Sequence, residues 1–298
     1  MKKVLFATTA LVATAGVAAA DVTFGGYGRF GVLFTDPVVG KSTTDVTSRF
    51  RLQIDATAES DAGVTMGARV RIQQNESDAV NTGTGINGVR FFARSGGLEV
   101  GVGNIYGALE FMPGMYPIDL GLTGLGYDYT AYNFGADAYS SGGAGSAGKN
   151  GVEVMYSMGD FSVHVSASES GPAGSTRTAV HAAYTFSGWT VALGAQDSDN
   201  AADTEFAASV GGSIGPVDLT LAFADNGTKG DHIVLAGRFD VGAATNVEVY
   251  VADADNQPDT GFGIDFNHDL GGGTSLRGGV AKRMSGATQA DLGVRFNF

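Results

Sequence analysis

From Asp21 to Phe298 the chain alternates apolar and polar residues in one short run after another. In the last run Ala290, Leu292, Val294, Phe296 and Phe298 share one parity, and Gln289, Asp291, Gly293, Arg295 and Asn297 hold the other. An extended strand puts two such sets on opposite faces. Similar runs cover Val22–Phe34 and Thr47–Ala58, then a third segment in which Val64, Met66, Val70 and Ile72 alternate with Thr65, Arg69, Arg71 and Gln73. A fourth lies near Gly88–Ser95, a fifth spans Leu98–Gly103 and a sixth opens at Val152. Ten more lie near 161–168, 177–186, 189–196, 204–214, 217–224, 232–240, 245–252, 261–268, 274–283 and 289–298, which brings the total to sixteen. A sheet with one apolar and one charged face, repeated this often, can close on itself in a bilayer, lipid outside and water inside. The expectation is therefore all-β: a 16-stranded antiparallel transmembrane β-barrel.

Connections support that reading. Gly159-Asp160, Ser187-Gly188 and Gly215-Pro216 are short, have turn chemistry and follow even-numbered strands. Longer ones, rich in Asp, Asn, Gly and Thr, follow odd-numbered strands, as extracellular loops do in outer-membrane barrels. The stretch from Ile105 to Asn150 is by far the longest connection and has no sustained alternation. Inside a barrel such a segment is predicted to fold into the lumen as a long third loop and narrow it. It carries Glu110, Asp119, Asp128 and Asp137, with Lys149 as its only cation.

Ten of the twelve arginines fall on strands one to four, fifteen and sixteen: Arg29, Arg49, Arg51, Arg69, Arg71, Arg90, Arg94, Arg277, Arg283 and Arg295. All ten have the inward parity, and closure would make these strands one wall. An Arg on the lipid face costs roughly 2–4 kcal/mol at the bilayer midplane. The predicted constriction sets Arg29, Arg49, Arg51, Arg69, Arg71, Arg90, Arg94 and Arg295 against Glu110, Asp119, Asp128 and Asp137. Such a pairing makes a transverse field that orients water and dipolar solutes and disfavours apolar ones. The plainer alternative is that individual arginines solvate the wall or pair with acids such as Asp55, Glu99 and Asp291.

Residues 1–20 read as a cleaved signal peptide: Met1-Lys2-Lys3, an apolar stretch from Val4 to Val17, and Ala18-Ala19-Ala20 as a small-residue cleavage site. Residues 21–298 are then the barrel domain of an exported, outer-membrane protein. Formal net charge is −13, or −15 once Lys2 and Lys3 leave with the signal (−13 − 2). That acidity, without any basic patch, excludes nucleic acid as a partner. No cysteine is present, so no disulfide framework exists. The 47 glycines have no collagen-like period; on inward positions they are expected to leave room for solvent.

Little catalytic chemistry is legible. There is no Gly-x-Ser-x-Gly elbow and no Ser-His-Asp arrangement, and the Gly-x-Gly pairs lie inside strands; no enzyme is expected. Of the four histidines, His164 and His181 have inward parity on neighbouring strands and read as solvated lumen residues. Asp253, Asp255 and Asp259 form a weak candidate for Ca²⁺, although Pro258 sits where a calcium loop needs its turn glycine and no Glu closes it. No firm metal site or cofactor is expected.

The segment Asp21–Phe34 (DVTFGGYGRFGVLF), strands two and three around Ser48–Ile72, and the end Ala290–Phe298 (ADLGVRFNF) resemble the general diffusion porins of Rhodobacter-type alphaproteobacteria. The enteric Pro-Glu-Phe-Gly-Gly loop signature is replaced here by Leu109-Glu110-Phe111-Met112-Pro113-Gly114, in a loop richer in apolar residues. The resemblance implies a homotrimer of barrels in outer-membrane lipid and lipopolysaccharide. It implies an inward third loop, basic residues opposite acidic ones, and a terminal aromatic read by the barrel-assembly machinery. The expected function is a passive, water-filled channel for ions and small hydrophilic solutes. The alternative is a substrate-preferring porin in which Tyr116, Tyr127, Tyr129 and Tyr132 line a track for one solute class; a plugged barrel serving envelope architecture is the third.

Overall fold

The computed structural model describes residues 20–76, 86–133, 135–141, 150–169, 176–199, 201 and 203–298. Most of the expected signal segment, and Lys149, lie outside the described residues. The strands are β1 (Ala20–Asp36), β2 (Thr43–Glu59), β3 (Thr65–Asn75), β4 (Arg90–Ser95), β5 (Leu98–Asn104), β6 (Asn150–Met158), β7 (Phe161–Glu169) and β8 (Thr176–Phe186). They continue as β9 (Trp189–Ser198), β10 (Glu205–Ile214), β11 (Val217–Asp225), β12 (Asp231–Gly242), β13 (Thr245–Ala254), β14 (Gly261–Gly271), β15 (Thr274–Lys282) and β16 (Thr288–Asn297). Each pairs antiparallel with its sequence neighbours, and β16 pairs with β1 to close the barrel. Closure leaves no free edge strand, the condition for strands in hydrocarbon.

Period two sets the two faces. Phe24, Phe30, Val32, Phe91, Leu193, Leu235, Phe262 and Leu292 are exposed on the outside, where lipid covers them. The buried apolar cluster lies inside the barrel instead, between the third loop and the wall. Tight turns join even to odd strands: Gly96 and Gly97 both have left-handed φ (56° and 86°), as a two-residue hairpin loop matching strand twist requires. Ser187 adopts the same geometry at φ 49° before Gly188.

Strand boundaries fall close to the predicted runs. The β1–β2 ladder is the main extension, running from Ala20 opposite Ala58 to Thr35 opposite Thr43. Apolar alternation marks only the length of strand that meets lipid, whereas backbone pairing continues beyond it.

Phe298 lies at the seam. Its N–H donates to the Gly26 carbonyl at 3.1 Å and its carbonyl accepts from Gly26 N at 2.9 Å, extending the β1–β16 contact past the end of the strand. Its ring stacks on Phe50 of β2, centroids 5.7 Å apart. Removing Phe298 takes away both contacts, so the truncated protein should show a smaller heat-modifiable, folded fraction in outer membranes by gel shift.

Candidate functional site

Residues 105–141, where described, carry no strand and run inside the barrel. A buried chain without a ladder must find partners for its N–H groups, and carboxylates on four strands supply them. Glu153 of β6 accepts from Tyr106 and Gly107 N–H at 3.0 and 3.1 Å. Glu248 of β13 accepts from Asp119 N–H at 3.1 Å and Asp265 of β14 from Gly121 N–H at 2.5 Å. Asp291 of β16 takes Leu122 N–H at 3.0 Å, and both the N–H and hydroxyl of Thr123 at 2.7 Å. The Arg29 guanidinium donates to the Leu122 carbonyl at the same point. Asn226, between β11 and β12, receives Asn133 N–H at 2.6 Å on the way back, and Asn104 brackets Ser140 with two bonds of 3.0 Å. The loop thus travels around the wall from β6 to β1 and returns.

Apolar contact completes the attachment. Leu109, Met112, Met115, Leu120, Leu125 and Tyr129 are buried against a wall of Ala179, Ala183, Ala192, Ala207, Ala222, Ala236 and Ala252. Burying each Leu or Met contributes roughly 1.5–3 kcal/mol. Several inward glycines make room for this loop, which corrects the expectation that they leave room for solvent. A Cβ on Gly31 or Gly293 would come within 2.7 or 2.5 Å of Leu122 Cδ2, and one on Gly194 within 2.8 Å of Met112 Sδ.

The predicted basic residues divide into two kinds. On β2 and β3, Arg49 is held by Asn75 at 2.6 Å, Arg51 by Gln73 at 2.6 Å and Arg71 by Gln53 at 2.9 Å. Neutral amide oxygens orient these guanidiniums without cancelling their charge. Tyr27 lies beneath Arg51 and Arg295, 5.2 and 4.4 Å from ring centroid to guanidinium carbon. Arg69, in contrast, pairs with Asp55 at 2.6 Å. Arg90 departs from the expectation: it is 1% exposed, locked at 2.6 Å to Glu153 and 2.7 Å to Glu99, with the Tyr106 ring over it at 3.9 Å. Its charge is spent on the loop's first anchor instead of on the lumen. Arg94 lies beside the β4–β5 turn against Phe92.

The loop acids also separate. Asp119 is half-exposed and bridges Arg277 and Arg295 at 2.8 and 2.9 Å. Asp128 pairs with Arg283 at 2.8 Å and Asp137 with Arg177 at 3.6 Å, both buried and turned to the wall. Asp128 thus meets an arginine of the predicted wall, though not one of the eight set at the constriction, whereas Asp137 turns to Arg177 of β8, outside that wall; unpaired burial would be too costly for either. Glu110 accepts from Tyr116 at 2.7 Å and from the Tyr132 hydroxyl. Burial first, then the Glu110 charge, pushes both phenols up, so they stay protonated.

His164 and His181 do approach, ring centroids 5.5 Å apart, but both are buried beneath the loop's start and not solvated. His164 Nε2 is 2.9 Å from Glu153 and His181 Nδ1 is 2.5 Å from the Ala108 carbonyl. Asp253, Asp255 and Asp259 do not converge. Asp253 accepts from Thr260 at 2.7 Å, Asp255 from Asp231 N–H at 3.0 Å, and the Asp259 N–H donates to Met284. Among the described residues no group of three or more His, Cys, Asp or Glu is arranged to hold a metal ion.

Sequence reasoning missed the roles of Glu153, Glu248, Asp265 and Asp291 as loop anchors. Their signal was available: inward acids on strands that face the longest connection.

A closed membrane barrel with a charged lumen narrowed by an inward loop defines a channel. The family described as Gram-negative porin matches residues 7–288. The porin of Fuscovulum blasticum is 32% identical over 297 residues, covering 93% of this chain and 100% of that one. Among solved structures, a triple mutant of the Rhodopseudomonas blastica porin superposes with a TM-score of 0.82 at 27% identity, covering 93% of this chain and 100% of that one. Another engineered variant of that porin gives a TM-score of 0.81 at 26% identity with the same coverage. The chain belongs to the Gram-negative porin family. It is an outer-membrane channel for passive diffusion of ions and small hydrophilic solutes, and not an enzyme.

Glu153 bears most directly on the loop. Glu153→Ala leaves Arg90 buried with Glu99 as its remaining acid, and should cost about 3 kcal/mol in urea unfolding. Single-channel current should become larger and noisier as the loop's start detaches.

Proposed function

We propose that the selectivity filter is the gap between the third loop and the guanidinium ladder Arg49, Arg51 and Arg71. The observation that carries this reading is the amide tethering of that ladder. These three guanidiniums have amide and not carboxylate partners, Arg71 reaching Ser141 of the loop as well, while Asp119, Asp128 and Asp137 are already paired. The gap then attracts anions at close quarters. Acidic loops at the mouths, with the −15 of the chain after signal removal, attract cations over about a Debye length, roughly 10 Å at 0.1 M salt.

Cation preference should accordingly be weak at low salt and fade or reverse as salt rises. Replacing Arg49, Arg51 and Arg71 together by Ala should move the zero-current potential in a salt gradient towards cations at every concentration. A potential equal to wild type would take these arginines off the conducting path. Deleting residues 113–126 should raise single-channel conductance with the barrel still assembled, and unchanged conductance would place the loop outside the path.

The same reading includes residues 1–20 as a signal peptide removed on export, supported by the small-residue cleavage pattern. It also includes a homotrimer in contact with lipopolysaccharide, inserted by the barrel-assembly machinery through its terminal aromatic. Support for these comes from the family and from the C-terminal phenylalanine. N-terminal sequencing of the membrane form and native mass measurement test the first two.

A further inference from the structure

Tyr116, Tyr127 and Tyr132 of the third loop, with Glu110, border a hollow of about 500 Å³. The Tyr116 and Tyr132 rings stand edge-to-face at 87°, centroids 6.2 Å apart, and both hydroxyls donate to the same oxygen, Oε2, of Glu110. Tyr127 is 44% exposed and sits at φ 62°, in the left-handed region that a bulky residue avoids. Gly124 makes that placement achievable, since a Cβ there would come within 2.5 Å of Tyr127 Cζ. A strained aromatic held open beside two others is the sort of backbone outlier that points to a ligand.

The chemistry of the hollow selects the ligand. Glu110 is the one acid of the loop with no ion pair among the described residues. Its Oε2 already accepts from two phenols, so an N–H donor arriving there competes with them. A quaternary ammonium has no N–H to satisfy, and is attracted by ring faces and by carboxylate charge. Burial and then Asp119 push the Tyr127 hydroxyl up, so this ring stays a neutral phenol at the hollow.

We propose that the hollow binds the quaternary ammonium end of a small solute, a trimethylammonium compound of the betaine class. This rests on the reading that the gap between loop and arginine ladder is the conducting path, and it names a solute class for that path.

The test uses the folded, detergent-solubilised protein with radiolabelled glycine betaine in equilibrium dialysis, alongside planar-bilayer current in potassium chloride. Betaine should bind saturably and reduce the current over the same concentration range. Glycine, with a primary ammonium, should compete about tenfold more weakly. Tyr116→Ala should raise the betaine Kd about tenfold, whereas Tyr116→Phe, which keeps the ring, should stay within about threefold of wild type. No saturable binding to wild type, or equal competition by glycine, would overturn the site while a normal salt current left the channel reading intact. Binding with an undiminished current would overturn the placement of the path and keep the site. The wild-type comparison of betaine with glycine decides the matter even if Tyr116→Ala does not fold.

Discussion

A loop drawn into the lumen of a barrel must give its backbone N–H groups to something, and here it gives many of them to wall carboxylates. Glu153, Glu248, Asp265 and Asp291 take seven donors between residues 106 and 123. Charge-assisted bonds of this kind are roughly twice as strong as neutral ones, and several are buried from competing water. The position of the loop, and hence the shape of the open lumen, depends on them. Their anionic charge is directed into the loop backbone, and the side of the lumen against which the loop lies is therefore not a free acidic surface.

The arginines complement that arrangement by doing two separate jobs. Arg90 and Arg29 fasten the loop, one at its first anchor beneath Tyr106 and one at its far point on Leu122. Arg49, Arg51 and Arg71 are steered by amides that add no charge, and Arg71 also donates to Ser141 of the loop at 2.7 Å. A wall built of ion pairs would present little net field, because paired charges cancel at a distance. Asn75, Gln73 and Gln53 hold Arg49, Arg51 and Arg71 without pairing their charge.

The alanine-rich wall belongs to the same design. A lumen lined only by charged and polar groups would offer the loop no apolar partner. Small side chains on β8 to β13, with Gly31 and Gly293 at the seam, let leucines and methionines approach the sheet closely. The loop is thus held by hydrophobic burial along its length and by carboxylates at its turning points, which leaves Tyr116 and Tyr127 exposed on its open side.

Strand number and strand direction were legible in the sequence, because side-chain parity along a strand is a local property that lipid and water enforce residue by residue. The loop's inward course was legible too, from its length and lack of alternation. What each inward charge does was not. Arg90 and Arg51 have the same parity and the same inward face, yet one is sealed between two carboxylates and the other is held open by an amide. Asp291 looked like a local partner for an arginine, but it binds Leu122 and Thr123, about 170 residues away in the chain. Only the closed barrel brings such positions together, and only the packing of the loop against the wall decides which charges are buried and paired and which keep their field.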